Sequence, residues 1–81
     1  MENIEQLFGQ AVRRRRLKMG LSQEEFADKA GVHRTYISAI ELGKVQVSIG
    51  VAQKLAAALD VPLSRIWIEL EREVIRAANR G

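Results

Sequence analysis

The sequence predicts an all-α domain built from five helices. Three observations lead there. Apolar residues recur three or four positions apart along most of the chain, the spacing of a helix face. Serine and glycine residues punctuate these segments in the order of helix starts and stops. The single proline, Pro62, falls between two such segments, and no stretch alternates as a half-buried strand does.

The elements follow in order. Ile4, Phe8, Ala11 and Val12 share one face of a first helix, about 3–19, with Gly20 where a left-handed residue closes the last turn. Ser22 and Glu25 form the S-x-x-E capping box of a second helix, 23–30; Phe26, Ala27 and Ala30 face inward and Gly31 ends it. With His33 as cap of the third helix, 34–42, Val32 and Ile37 take the two positions of a hydrophobic staple. Ile40 lies one turn on, and Gly43 stops the helix. After an extended "VQV", Ser48 caps a fourth helix in which Ile49, Ala52, Leu55, Ala56 and Leu59 are expected to point inward. Gly50 lowers helix propensity only in its first turn. Pro62 suits the start of a fifth helix, about 63–78, with the closing "ANRG" expected to fray.

Size and charge narrow the function. A chain of 81 residues implies one domain over 1–81, with a small core that a partner subunit would extend. Hydrophobic residues at 47% and charged residues at 28% suit a folded chain rather than a disordered one. The net charge of +3 and pI near 9.8 are compatible with a polyanionic partner. One histidine and no cysteine leave no residues for a zinc site or thiol chemistry. "MENIEQLFGQ" is not a secretory leader, and nothing approaches the ~18 apolar residues of a membrane span. A cytoplasmic location is therefore expected, with no membrane partner, metal, cofactor or small-molecule ligand.

The second and third helices are short, joined through Gly31, and carry a small Ala27 where close helix approach needs one. This is the pattern of a helix-turn-helix, whose first helix crosses the DNA backbone while the next enters the major groove. Ile37 and Ile40 set the core direction of the third helix. At ~100° per residue, Thr35, Ser38, Ala39 and Leu42 then point outward, with Arg34 at the N-terminal tip. An arginine fork matches guanine O6 and N7, and threonine offers a hydroxyl and a methyl to base edges. Ser38 is a weaker base or phosphate contact, and Tyr36 flanks the groove for phosphate or sugar. Free N–H groups at the start of the second helix, at Ser22 and Gln23, suit phosphate.

"GLSQEEFADKAGVHRTYISAIELGK" and "VSIGVAQKLAAALDVPL" resemble the Cro/lambda-repressor-type (XRE) family of helix-turn-helix transcriptional regulators, over roughly residues 8–68. The resemblance implies a five-helix lambda-repressor-like fold, base reading from Arg34, Thr35, Ser38 and Ala39, and backbone contact at Gln23, Lys44 and Gln46. The chain departs from the family at Leu42, Val45 and Val47, where many members are polar or basic. More narrowly, "RTYIS" followed by "IE" in a chain with a fifth helix is similar to controller proteins of restriction–modification systems. Those are homodimers that bind operators upstream of their own gene.

The fifth helix supports a homodimer. Leu63, Ile66, Trp67, Leu70, Val74 and Ala77 form one stripe, and Ile68 and Ile75 lie well off it. Such a second apolar face on a terminal helix marks an interface. Trp67, Ile68, Arg72 and Ile75 are the expected contact residues, with other charged neighbours setting pairing at the rim. A two-fold dimer places two third helices ~34 Å apart on a pseudo-palindromic double-stranded operator. Regulation would follow protein concentration through dimerisation, without an effector domain.

Rival readings are an antitoxin whose fifth helix docks a toxin, a phage-type repressor, and an enzyme. The last lacks a nucleophile–base pair; Glu24, Glu25 and Asp28 suit first-turn dipole partners and a solvated face better than a metal cluster. Four consecutive arginines, Arg13–Arg16, spread over ~300° and cannot form one patch. Arg16 faces the domain one turn after Val12, and Glu41 also turns coreward. The family resemblance pairs them as a structural ion pair. Arg13, Arg14 and Arg15 are then surface charges that steer DNA from a distance.

Overall fold

The computed structural model describes residues 2–79 and contains, among them, α1 (Ile4–Lys18), α2 (Gln23–Ala30), α3 (Arg34–Glu41), α4 (Ile49–Ala58) and α5 (Leu63–Asn79). α1 packs on α3 and α5, α2 on α3 and α4, and α4 on α5. All five helices feed one core: Val12, Phe26, Ile37, Ile40, Leu55, Ile66 and Leu70 are fully buried. Each such side chain contributes ~1.5–3 kcal/mol relative to exposure.

Local chemistry sets the ends of each helix. Ser22 accepts from the Glu25 amide at 3.0 Å while the Glu25 carboxylate accepts from the Ser22 amide at 2.8 Å. α1 starts with the same device, Asn3 and Gln6, at the same spacing. His33 Nδ1 accepts from the Thr35 amide at 3.1 Å and so caps α3. Val32 packs partly buried against the core that contains Ile37, as the staple requires. Behind α1, α2 and α3 the chain turns left-handed at Gly20, Gly31 and Gly43, and behind α4 it does so at Asp60, φ 57°. Asp60 is the costly member of this set, because a Cβ disfavours that region. Its carboxylate lies 3.3 Å from Lys29 on α2.

Close packing of α1 on α3 depends on Gly9. A Cβ there would overlap the Ile40 carbonyl oxygen and lie 2.9 Å from that of Glu41. No sequence pattern marked this glycine, because only the opposing backbone makes it necessary.

Two expectations, on Ile49 and Arg15, need correction. Ile49 is 83% exposed rather than inward. It lies about 70° in helical phase from the centre of the buried stripe formed by Ala52, Leu55, Ala56 and Leu59. On α5 only part of the apolar stripe is buried, as expected: Ile66 and Leu70 are fully covered, while Trp67 and Val74 at its edge are 46% and 41% exposed. Arg15 is a strut to α5, not a free surface charge: its Nε donates to Glu69 at 2.8 Å. α5 continues through Ala78 to Asn79, and Arg80 and Gly81 of the expected fraying end lie outside the described residues.

Candidate nucleic-acid interface

One shallow groove runs between the N-terminus of α2 and the outer face of α3. Arg16, Ser22, Gln23, Glu24, Arg34, Thr35 and Ser38 line it. Three of the four expected base readers and two of the expected backbone contacts therefore share one surface. Ala39, the fourth reader, is partly buried on α3. Lys44 is exposed just past α3. Tyr36 is partly buried and packs against the core. Gln46 is exposed but sits on the wall of a different, apolar groove.

The floor of the interface is an ion-paired network. Arg16 Nε donates to Glu41 Oε2 at 2.6 Å and Nη2 donates to Oε1 at 2.9 Å, with side chains only 8% and 2% exposed. Arg16 Nη1 donates to the Leu21 carbonyl at 2.8 Å, just ahead of the α2 cap. Gln23 Nε2 donates to Glu41 Oε1 at 3.1 Å. The bidentate bond to Glu41 holds the Arg16 guanidinium firmly charged, above its already high ordinary pKa. One carboxylate thus joins the end of α1, the start of α2 and the end of α3. That fixes the relative placement of the two helices a helix-turn-helix presents to DNA. Among the described residues no buried side-chain polar atom lacks a partner.

Sequence reasoning named Gln23 for phosphate and missed its bond to Glu41. That bond spans 18 positions and depends on how α2 crosses α3. Glu24, a dipole partner of α2 by its place in the sequence, also lies with its carboxylate 3.9 Å from the Arg34 guanidinium in the groove.

A second surface collects apolar side chains. A groove of about 360 Å³ is lined by Ile4, Phe8, Val47, Ile49, Leu63 and Trp67, with Glu5, Gln46 and Ala52 completing its wall. Ile68 and Ile75 project from the side of α5 nearly opposite its buried stripe, and Ile75 is 60% exposed. Arg72 and Ile75 flank a flatter depression with Arg76 and Asn79. Trp67 therefore borders one apolar surface, and the other three expected dimer residues lie on another.

Comparison with known proteins agrees with this architecture. The model of a helix-turn-helix family matches residues 12–66. The control protein C.MunI from a Mycoplasma species is 39% identical over 74 residues, 90% of this chain and 100% of that protein. The control protein C.BamHI of Bacillus amyloliquefaciens is 50% identical over 60 residues, 73% of this chain and 74% of its own. Among solved structures, the restriction-modification controller protein C.AhdI from Aeromonas hydrophila superposes with a TM-score of 0.75 at 39% identity, covering 76% of this chain and 94% of that one.

Proposed function

The chain belongs to the helix-turn-helix family, and we propose that it is a sequence-specific regulator of transcription that binds double-stranded DNA as a homodimer. The observation that carries this reading is the groove, which gathers Arg34, Thr35 and Ser38 beside the N-terminus of α2. Arg34 reads guanine through its fork, Thr35 and Ser38 read neighbouring edges, and Ala39 lies within reach of a thymine methyl. Ser22, Gln23, Tyr36, Lys44 and Gln46 hold phosphates and set the register. The division follows from chemistry: backbone contacts supply affinity that depends on salt, and base contacts supply discrimination.

The dimer contact is assigned to α5 through Trp67, Ile68, Arg72 and Ile75. An outer face carrying two exposed isoleucines supports it. Likeness to two control proteins and to a restriction-modification controller protein favours a controller role, with the protein regulating its own gene through a pseudo-palindromic operator. A binding protein rather than an enzyme, at work in the cytoplasm, completes the reading.

The test is a titration at several salt concentrations onto a duplex selected from a random library by the wild-type protein, with a scrambled duplex alongside. We expect a steep salt dependence and a preference for the selected duplex. Arg34→Ala should cost ~1–3 kcal/mol on the selected duplex and little on the scrambled one. Equal binding of both proteins to the selected duplex would remove Arg34 from the reading set.

A further inference from the structure

Glu24 is the acid on the wall of the groove, among side chains otherwise suited to hold DNA. The α2 dipole favours an acid in this first turn but does not require one at this position. The α2 cap is complete without it, through Ser22 and Glu25. Its partner is Arg34, 3.9 Å away, and the two side chains are 72% and 67% exposed. An exposed pair of this kind adds little to stability.

What the pair does change is the ligand Arg34 can accept. A guanidinium beside a carboxylate still donates well to the neutral O6 and N7 of guanine. A phosphate arriving at the same guanidinium brings a second negative charge next to Glu24 and is repelled. We propose that Glu24 is a specificity-determining residue: it lowers the affinity of Arg34 for DNA backbone while leaving its grip on guanine nearly intact. Non-specific complexes, in which arginine finds phosphate, are penalised. The specific complex, in which it finds a base edge, is spared. The inference rests on the DNA-binding reading above.

Coulomb's law in water sets the scale of the effect at low salt, since salt screens exposed charges. At ~6 Å a carboxylate and a phosphate repel by an amount equal to about a threefold change in affinity, and by more at the lower dielectric of an interface. The experiment measures binding of wild type, Glu24→Gln, Arg34→Ala and the double variant to the selected and scrambled duplexes at matched salt. Glu2→Gln, which removes an exposed acid ahead of α1, is the control for net charge. Glu24→Gln is expected to tighten the scrambled duplex about 3–10-fold and the selected duplex by less than about twofold. In the Arg34→Ala background this difference should vanish. Glu2→Gln should move both duplexes alike. If Glu24→Gln shifts both duplexes by the same factor, or acts equally without Arg34, Glu24 is only a solvated charge and the proposal falls alone. If the wild type prefers neither duplex, the DNA-reading assignment falls and takes this one with it.

Discussion

Removing the Glu41 carboxylate should damage the protein more than any other single change to its polar network. In Glu41→Ala, the Arg16 guanidinium loses its two bonds of 2.6 and 2.9 Å and keeps only the Leu21 carbonyl. Gln23 loses its acceptor as well. A charge at a site that is 8% exposed is then left nearly uncompensated. Breaking a buried pair from one side costs ~3–5 kcal/mol. At 0.05–0.15 kcal/mol per residue, a chain of 81 residues has ~4–12 kcal/mol in all, so the loss is a large fraction of it. At ~4–8 °C per kcal/mol, Tm should fall by at least about 12 °C. Far-UV circular dichroism, with protein concentration held fixed because dimerisation shifts apparent stability, measures it. The decisive comparison is the cycle with Arg16→Met and the double variant Arg16→Met/Glu41→Leu. An apolar pair strands no charge, so the double variant should recover most of the stability either single variant loses. Additive losses would refute the coupling, because independent sites add and partners do not.

Further predictions concern packing, assembly and pH. Gly9→Ala should destabilise by ~1–3 kcal/mol or more in urea unfolding, because its Cβ meets α3 backbone rather than a movable side chain. Ile75→Asp and Ile68→Asp should weaken self-association in sedimentation while far-UV dichroism stays unchanged, since both residues stand clear of the core. Retained dimers would shift attention to the groove around Ile49 and Trp67. Hydrogen bonds from the Ser22 amide and hydroxyl hold the Glu25 carboxyl below its ordinary pKa. A folded-state pKa below the unfolded one stabilises above the unfolded value, about 4.3, and the gain disappears as pH falls through the folded value. Wild type should therefore lose stability relative to Glu25→Gln as thermal melts move from pH ~5 downward.

Helices and their ends were legible in the sequence because their causes lie within a few residues. Ser22 and Glu25 are three apart, and Val32 and Ile37 are five apart. Asn3 and Gln6 carry the same signal, unread but present. Gly20, Gly31 and Gly43 announce their turns by residue type; Asp60 takes the same conformation without announcing it. The outward face of α3 was also legible, since Ile37 and Ile40 define its inward one. Helical phase pointed Arg16 and Glu41 coreward, and only the resemblance paired them.

Tertiary structure decided what those faces meet. Arg15 finds Glu69 across 54 positions, and Arg16 shares Glu41 with Gln23. Gly9 matters because α3 backbone lies against it. Ile49 satisfies the apolar pattern yet stands in solvent, because it lies at the edge of the α4 stripe while Ala52 and Leu55 fill the core. Glu24, a dipole partner in one dimension, becomes the neighbour of Arg34 in three. Periodicity sets the direction of a side chain relative to its own helix. Which helix lies across from it, and how far the core reaches, depends on packing among residues that are distant in sequence.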